Sequence, residues 1–310
     1  MKRRFDIRQH TFAASLVVAV MYVLSTFVFS RMAVTAVPVI AGLLLFAANA
    51  VAVYLVVDFF SGGFNHMSAL MFAILALSFP AVAVYDPAYL CIIPLNAAFY
   101  IGVRFYAGDS KNDLAFFCSL LISLASLNFP PLAWVALFML LMNFFPAVDK
   151  ARFVVISIVG FLLPQVVALA VIYITGDVRM ISPAVSDYLS QVVTMDISIG
   201  ASSAARVIKV ITFFVLFVVA FIAFLKHNAQ YNVSHSKAMI MVYPYALLIT
   251  LLVLLFPYTN LTMGTMLIMV PVAIVLYDYF VWGSSDHDCR IALAFALLAA
   301  LLEYAFVGIK

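Results

Sequence analysis

Apolar residues run in long stretches along the whole chain, and short polar segments separate them. Such stretches predict membrane-spanning helices, because about 20 apolar residues rising about 1.5 Å each cross a hydrocarbon core about 30 Å thick. The pattern predicts an all-α, polytopic transmembrane helical bundle of about 11 spans (10–12), forming a single integral membrane domain over residues 1–310. The expected helices are Phe12–Phe29, Pro38–Phe60, Met67–Tyr85, Tyr89–Tyr106, Leu114–Phe129, Pro131–Phe145, Phe153–Thr175, Val207–Leu225, Ala238–Phe256, Leu261–Trp282 and Ile291–Val307.

The distribution of basic residues indicates which side of the membrane each loop faces. With the N-terminus in the cytoplasm, eleven of the sixteen Lys and Arg residues fall on the inner side and five on the outer. Cytoplasmic loops carry the excess of Lys and Arg in membrane proteins, so we expect a cytoplasmic N-terminus. The apolar run Phe12–Phe29 is too long for the core of a signal peptide and is expected to be an uncleaved first span.

The segment Leu114–Phe145 is open to two interpretations. Its two apolar runs of about sixteen residues meet at Pro130-Pro131. Each run would be only ~24 Å long as a helix, which is less than the usual hydrocarbon thickness. The segment either spans the membrane twice or forms a re-entrant hairpin. Both alternatives begin and end on the inner side, so the rest of the topology is the same.

Two predicted helix pairs carry prolines at matching positions. Pro80 and Pro257 each end a helix on the outer side, and Pro94 and Pro271 follow fourteen residues later in the return helix. An internal proline removes a backbone hydrogen bond, so both return helices should kink. Helices 3–4 and 9–10 are therefore either a duplication, of the kind that frames many transporter sites, or a chance match.

The long outer loop Gly176–Arg206 contains a short amphipathic helix. In "SPAVSDYLSQVV", Ser182 fits an N-cap and Pro183 the first helical position. Apolar residues then recur at helical spacing, with polar residues on the opposite face. This helix either lies on the outer membrane–water interface or covers the bundle as a lid. The apolar positions are Val185, Tyr188, Leu189, Val192 and Val193.

Composition supports the membrane prediction and excludes several other classes of protein. Apolar residues make up 67% of the chain and charged residues 9%, with a mean hydropathy of +1.20, so polar residues cannot cover a soluble globule. The net charge of +3 is scattered, and no nucleic-acid partner is expected. The three cysteines lack paired spacing, and no metal, cofactor or nucleotide motif occurs, so neither metal nor cofactor is expected. The polar segments at 227–237 and 284–290 are predicted to be inner loops.

Ionisable residues inside predicted spans indicate a candidate binding site, because such residues are costly to bury in lipid. Asp58, Arg104 and Asp278 all lie within four residues of the inner end of a predicted helix. Since they share one membrane level, we expect Arg104 to form a salt bridge with one of the two acids. The alternative is that Arg104 only extends its side chain to the interface. Asn96 follows the kinking Pro94 and is the deeper candidate for lining a cavity.

The alternative site is on the outer side, at Arg179 and Arg206 of the long loop. Lipid-linked polysaccharide polymerases and ligases use large outer loops rich in Arg and His, and here the loop offers arginine without histidine. Membrane glycosyltransferases that use polyprenyl-phosphate sugars carry an acidic residue in a long first outer loop. The corresponding loop here, "SRMAVTAVP", has no Asp or Glu, which argues against that mechanism.

The runs "LAFFCSLLISLASLNFPPLAWVALFMLLMNFF" and "ARFVVISIVGFLLPQVVALAVIYITGD" carry a family resemblance. This part, predicted helices 5–7, resembles a bacterial family of polytopic inner-membrane proteins that has no assigned function. The resemblance implies a bacterial inner-membrane location and one whole-chain domain, and it brings no catalytic residues.

The function expected from the sequence is transport, or the handling of lipid or envelope precursors, without catalysis. The expected partners are membrane lipids and a lipid-linked or small-molecule substrate. The alternatives are an enzyme or accessory factor for lipid-linked envelope polysaccharide, and a non-catalytic subunit of an envelope complex. Each alternative leaves the substrate undefined.

Overall fold

The computed structural model describes residues 36–61, 72, 90–108, 111–175, 179, 181–194, 204–227, 232–255 and 261–283. Within these ranges the chain is helical throughout, without β-strands, which confirms the all-α prediction for this part. The predicted spans Phe12–Phe29 and Ile291–Val307 lie outside the described residues, as does Met67–Tyr85 apart from Phe72. The possible duplication that relates predicted helices 3–4 to predicted helices 9–10 therefore stays a prediction.

Nine α-helices occur in the described ranges, and their bounds follow the predicted apolar runs closely. They are α1 (Ala36–Ser61), α2 (Ile92–Ala107), α3 (Asn112–Asn128), α4 (Ala133–Phe144), α5 (Lys150–Thr175), α6 (Ile181–Val193), α7 (Ala204–His227), α8 (Val233–Leu255) and α9 (Leu261–Asp278). A short 3-10 turn, Pro130–Leu132, joins α3 to α4, and a π-helical turn, Tyr279–Gly283, continues α9.

The start of α8 corrects the prediction. The segment at 227–237 was predicted to be a polar loop with a helix from Ala238, but the helix begins at Val233. The amide of Ser236 donates to the carbonyl oxygen of Asn232 at 2.9 Å, which is the i to i−4 bond of a first helical turn. Apolar periodicity cannot reveal a helical turn built from polar residues, so the sequence reasoning placed the boundary five residues too late.

Helix α9 is the centre of the bundle. Almost every side chain from Leu267 to Tyr279 is buried, which is the pattern of a helix surrounded by other helices. It packs against α1, α7 and α8, while α8 also packs against α2. Between α2 and α8, the rings of Phe99 and Tyr245 stack with centroids 4.2 Å apart.

A second layer is formed by α3 and α5, which pack closely along their length. Gly160 of α5 makes this approach possible, because a Cβ there would lie 2.7 Å from the carbonyl oxygen of Phe116 on α3. Small residues that allow two backbones to approach are typical of helix interfaces in membranes. The packing between α3 and α2 connects this second layer to the central helices.

Helix α5 exposes most of its apolar side chains. It is long and apolar enough to cross a membrane, and so is the segment Val233–Val253 of α8. The exposed fraction reaches 59% at Val166 and 50% at Leu162. By length and composition these are the two candidate spans within the described ranges, and several shorter apolar helices accompany them.

The two runs of the segment Leu114–Phe145 form a helical hairpin. Its helices α3 and α4 have 17 and 12 residues. The 3-10 turn between them, Pro130–Leu132, is buried, and α6 packs on it. The amphipathic helix predicted in the long loop is thus present as α6, and it contacts the hairpin tip.

Candidate functional site

A buried histidine–aspartate pair joins two helices of the bundle. His235 lies in the first turn of α8 and Asp278 is the last residue of α9. The Nε2 atom of His235 is 2.7 Å from Oδ1 of Asp278, and the two side chains are 3% and 1% exposed. Both groups are therefore removed from solvent while in direct contact with each other.

A tyrosine hydroxyl also contacts the Asp278 carboxylate. The Tyr243 hydroxyl of α8 lies 3.4 Å from Oδ2 of Asp278 and 3.1 Å from the carbonyl oxygen of Ala220 on α7. The hydroxyl has one proton, so it can donate to either of these acceptors. Three helices, α7, α8 and α9, thus meet at the Asp278 carboxylate.

Aromatic rings surround the polar atoms. Phe60 at the end of α1 meets the His235 ring edge-on, with centroids 4.7 Å apart. The Tyr243 ring has three phenylalanine neighbours from α7 at centroid distances of 5.1 to 5.7 Å: Phe217, Phe221 and Phe224. These apolar rings make burial of the pair costly, and the hydrogen bonds of the pair offset part of its desolvation.

This arrangement can hold or release a proton. Imidazole and carboxylate together carry no net charge when they share one proton, and that state is the least costly in an apolar environment. Loss of the shared proton leaves a buried negative charge, and gain of another leaves a buried positive charge. Proton exchange at the pair therefore requires access to water or a compensating charge nearby.

The structure gives Asp278 different partners from those predicted. Its carboxylate is bonded to His235 and Tyr243, and the expected salt bridge with Arg104 is not formed. Sequence reasoning missed His235 because the residue was assigned to a loop. Continuing the helix of Ala238 backwards through "NVSHSK" would have placed a histidine inside a span.

Asp58 lies in the last turn of α1, and Arg104 lies beside the same end of that helix. The Arg104 guanidinium carbon is 5.9 Å from the ring centroid of Phe59 and 5.8 Å from that of Tyr100, within the range of cation–π contacts. Asp58, next to Phe59, is partly exposed. Since Phe59 contacts Arg104 and its neighbour Phe60 contacts His235, Arg104 and His235 lie at one end of the bundle.

Asn96 takes part in an interhelical hydrogen bond. Its Nδ2 donates to Oδ1 of Asn49, which joins α2 to α1, and both side chains are buried. A bond between two buried amides satisfies groups that would otherwise be costly in an apolar interior. Asn96 therefore supports the packing of α1 on α2 at a site where the sequence favoured a cavity.

A second polar cluster lies where α3, α5 and α6 meet. The Nε2 atom of Gln165 lies 3.0 to 3.3 Å from the hydroxyls of Ser123, Ser126 and Tyr188. The Tyr188 hydroxyl in turn donates to Ser126 Oγ at 3.1 Å. Burial raises the pKa of the Tyr188 hydroxyl above its ordinary value, and the bonds with Ser126 and Gln165 only partly oppose this, so it stays a neutral hydroxyl.

The alternative outer site, Arg179 and Arg206, stays a prediction. Arg179 is exposed just before α6. Arg206 belongs to the first turn of α7, and its side chain lies outside the described part. Over the described ranges, no three His, Cys, Asp or Glu side chains come together as metal ligands.

Comparisons with known proteins provide no relative for the chain. No family model, no curated protein and no solved structure matches it. The resemblance of predicted helices 5–7 to an inner-membrane family therefore stays a prediction, and function has to be argued from the geometry alone.

Proposed function

We propose that this chain is a multi-pass membrane transport protein in which His235 and Asp278 form the proton-binding element of transport. The observation that carries the proposal is the buried contact between these two side chains within the helical bundle. Ionisable residues that face the interior of a membrane bundle commonly mark ion pathways and proton relays. The substrate in this proposal is a small molecule or a lipid-linked precursor.

The membrane location is supported by the exposed apolar surface. Helix α5 exposes Val159, Leu162 and Val166 by about half of each side chain or more, and α7 exposes Phe214 and Ile222 similarly. Soluble monomers rarely expose apolar patches larger than a few hundred Å². In a bilayer the same side chains face lipid tails without cost. The finer description, about 11 spans with a cytoplasmic N-terminus, rests on the apolar runs and on the distribution of Lys and Arg.

A bacterial inner membrane is the proposed location. The excess of Lys and Arg on one side fits the cytoplasmic leaflet of such a membrane. The resemblance of predicted helices 5–7 to a bacterial inner-membrane family is the further support. Membrane lipids would then be the constant partners of the bundle.

Transport would follow from the condition for proton exchange at the pair. In the closed arrangement the shared proton is shielded by Phe60 and by the phenylalanines around Tyr243. Opening the bundle at this end would bring the pair to water and allow release or uptake of a proton. A transporter that opens alternately to the two sides would then couple proton movement to substrate movement.

The substrate-binding residues proposed with this element lie at the same end of the bundle. Arg104 offers a planar guanidinium suited to carboxylate or phosphate groups, and Asp58 lies beside Phe59, which Arg104 contacts. Asn96, bonded to Asn49, lies two helical turns deeper on α2. Arg104 favours an anionic group on the substrate, held close to the proton-binding pair.

A proton-flux assay in proteoliposomes tests the proposal. Vesicles that enclose a pH-sensitive dye receive one substrate class at a time: sugars, amino acids, nucleosides, carboxylates, phosphate esters or lipid-linked sugars. We expect one class to cause a pH change with the wild type and none to do so with Asp278→Asn. The matched control is Asp187→Asn, the same change at an exposed position of α6. Silence of the wild type with every class, or an undiminished response of Asp278→Asn, would contradict the proposal.

A further inference from the structure

Helix α6 has three distinct faces. One face, with Tyr188 and Val192, turns toward the bundle. A second face is polar and exposed, with Asp187 among its residues. The third is an apolar stripe at positions i, i+4 and i+8, where Val185, Leu189 and Val193 are 37%, 55% and 69% exposed. The five apolar residues of the predicted amphipathic helix thus divide between the bundle and an uncovered stripe.

Hydrogen bonds at two positions fix the rotation of this helix. The Tyr188 hydroxyl is held by Ser126 and Gln165. Nε1 of Trp134 donates to the carbonyl oxygen of Val192 at 3.1 Å, which satisfies a backbone acceptor in the last turn of α6. Because the two contacts lie one helical turn apart, α6 cannot rotate its apolar stripe into the bundle without breaking both.

The length of α3 bears on where α6 lies relative to a hydrocarbon layer. Helix α3 has 17 residues, and α6 packs on the turn at its end. A helix of that length rises ~25 Å, slightly less than a core about 30 Å thick. Interfacial helices bury their apolar face about 5–10 Å into the boundary between headgroups and acyl chains. A helix of 17 residues that starts at the inner boundary therefore ends ~5 Å short of the outer one, which is within that range.

The buried turn beneath α6 points to the same level. Pro130, Pro131 and Leu132 are all buried. Irregular backbone is tolerated at membrane depth only where protein covers it. Helix α6 provides that cover for the tip of the hairpin formed by α3 and α4.

We propose that α6 is a lipid-binding helix whose apolar stripe inserts into the outer leaflet at the headgroup–acyl boundary. This inference rests on the proposed membrane location. Lipid is the occupant because α6 contacts α5, whose apolar side chains are also exposed, with Val166 at 59% and Val171 at 53%. The polar face that carries Asp187 then meets the headgroups and water. The hairpin of α3 and α4 then enters from the inner side and has its tip below the outer membrane surface.

Single spin labels measured in lipid vesicles test this proposal. The parent is Cys289→Ser, since Cys91 and Cys118 are buried and unreactive. The labelled variants are Leu189→Cys on the stripe and Asp187→Cys on the polar face as its matched control, with Val185→Cys as a second reporter of the stripe. Collisions with oxygen, which concentrates in lipid, and with a water-soluble nickel chelate are measured for each label.

We expect the label at 189 to collide severalfold more with oxygen than with nickel, and the label at 187 to show the reverse. Equal nickel access at both positions would overturn the proposal, and so would a stripe shielded from both reagents with spin–spin broadening, which indicates a second copy. A label at Val166→Cys on α5 tests the membrane location separately from the lipid-binding role of α6. If 166 reports lipid while 189 reports water, only the role of α6 fails. If both report water, the membrane location itself fails.

Discussion

The imidazole of His235 and the carboxylate of Asp278 lie 2.7 Å apart, although 43 residues separate them in the chain. Their contact joins the first turn of α8 to the last turn of α9, the helix at the centre of the bundle. Removing one partner of such a buried pair destabilises a protein, because the other partner then stays desolvated without compensation. The pair is therefore a structural and a chemical element at once.

A double-mutant cycle should detect the coupling between the two residues. We expect His235→Ala and Asp278→Ala each to lower the free energy of unfolding by about 3–5 kcal/mol, since each removes the direct partner of a buried ionisable group. The double variant should lose less than the sum of the two. Steric-trap unfolding in bicelles measures these values, with Asp187→Ala as an exposed control. Strictly additive losses would show that the contact carries no energy of its own.

The Tyr243 hydroxyl should contribute less than the pair itself. Tyr243→Phe keeps the ring and its phenylalanine neighbours but removes the hydroxyl that contacts Asp278 and Ala220. We expect a loss of about 1 kcal/mol in the free energy of unfolding, the usual net contribution of one hydrogen bond. The matched control is Tyr173→Phe, on an exposed ring of α5. A loss as large as that of Asp278→Ala would mean that the hydroxyl is the main partner of the carboxylate.

The close approach of α3 and α5 should be sensitive to a single methyl group. Gly160→Ala puts a Cβ 2.7 Å from the carbonyl oxygen of Phe116, and backbone cannot move away as a flexible side chain can. We expect the free energy of unfolding to fall by about 1–3 kcal/mol, which is typical of overpacking. Gly108→Ala is the control, because a Cβ there meets nothing within 4 Å. Equal thermal stability of the two variants would contradict this close packing.

The Tyr188 hydroxyl should hold α6 on the bundle without affecting the core. Tyr188→Phe removes its hydrogen bonds with Ser126 and Gln165. We expect faster hydrogen–deuterium exchange of the α6 amides and unchanged exchange in α8 and α9, because local opening needs less free energy than global unfolding. Mass spectrometry of the exchanged peptides measures both. Unchanged exchange in α6 would show that Trp134 and apolar packing suffice to hold the helix.

The apolar pattern predicted the helices well and their side-chain partners poorly. The predicted run Phe153–Thr175 corresponds to α5 at Lys150–Thr175, because long apolar runs form helices whatever their neighbours are. The predicted candidate Asp278 proved to be buried, since the depth of a residue along a helix follows from its position in the run. The partner of Asp278 could not be predicted from the apolar pattern, because the rotation of each helix about its axis decides which faces meet.

Two further outcomes show the same limit. His235 was missed because polar residues at a helix start leave no apolar period to read. For α6, the apolar pattern allowed two placements, on the interface or on the bundle, and could not distinguish them. The structure contains features of both, since Tyr188 faces the bundle while Leu189 is exposed. A single amphipathic period cannot distinguish an apolar face that meets protein from one that meets lipid.

Accumulation of the transported substrate, driven by an imposed pH gradient, tests most sharply whether the His235–Asp278 pair couples protons to transport. Wild-type proteoliposomes should concentrate a radiolabelled substrate, of the class found in the proton-flux assay, above its external level. Asp278→Asn should still exchange labelled for unlabelled substrate at equal concentrations but should no longer accumulate it, because its amide cannot take part in proton exchange. Accumulation by Asp278→Asn equal to that of the wild type would show that the His235–Asp278 pair does not couple protons to transport.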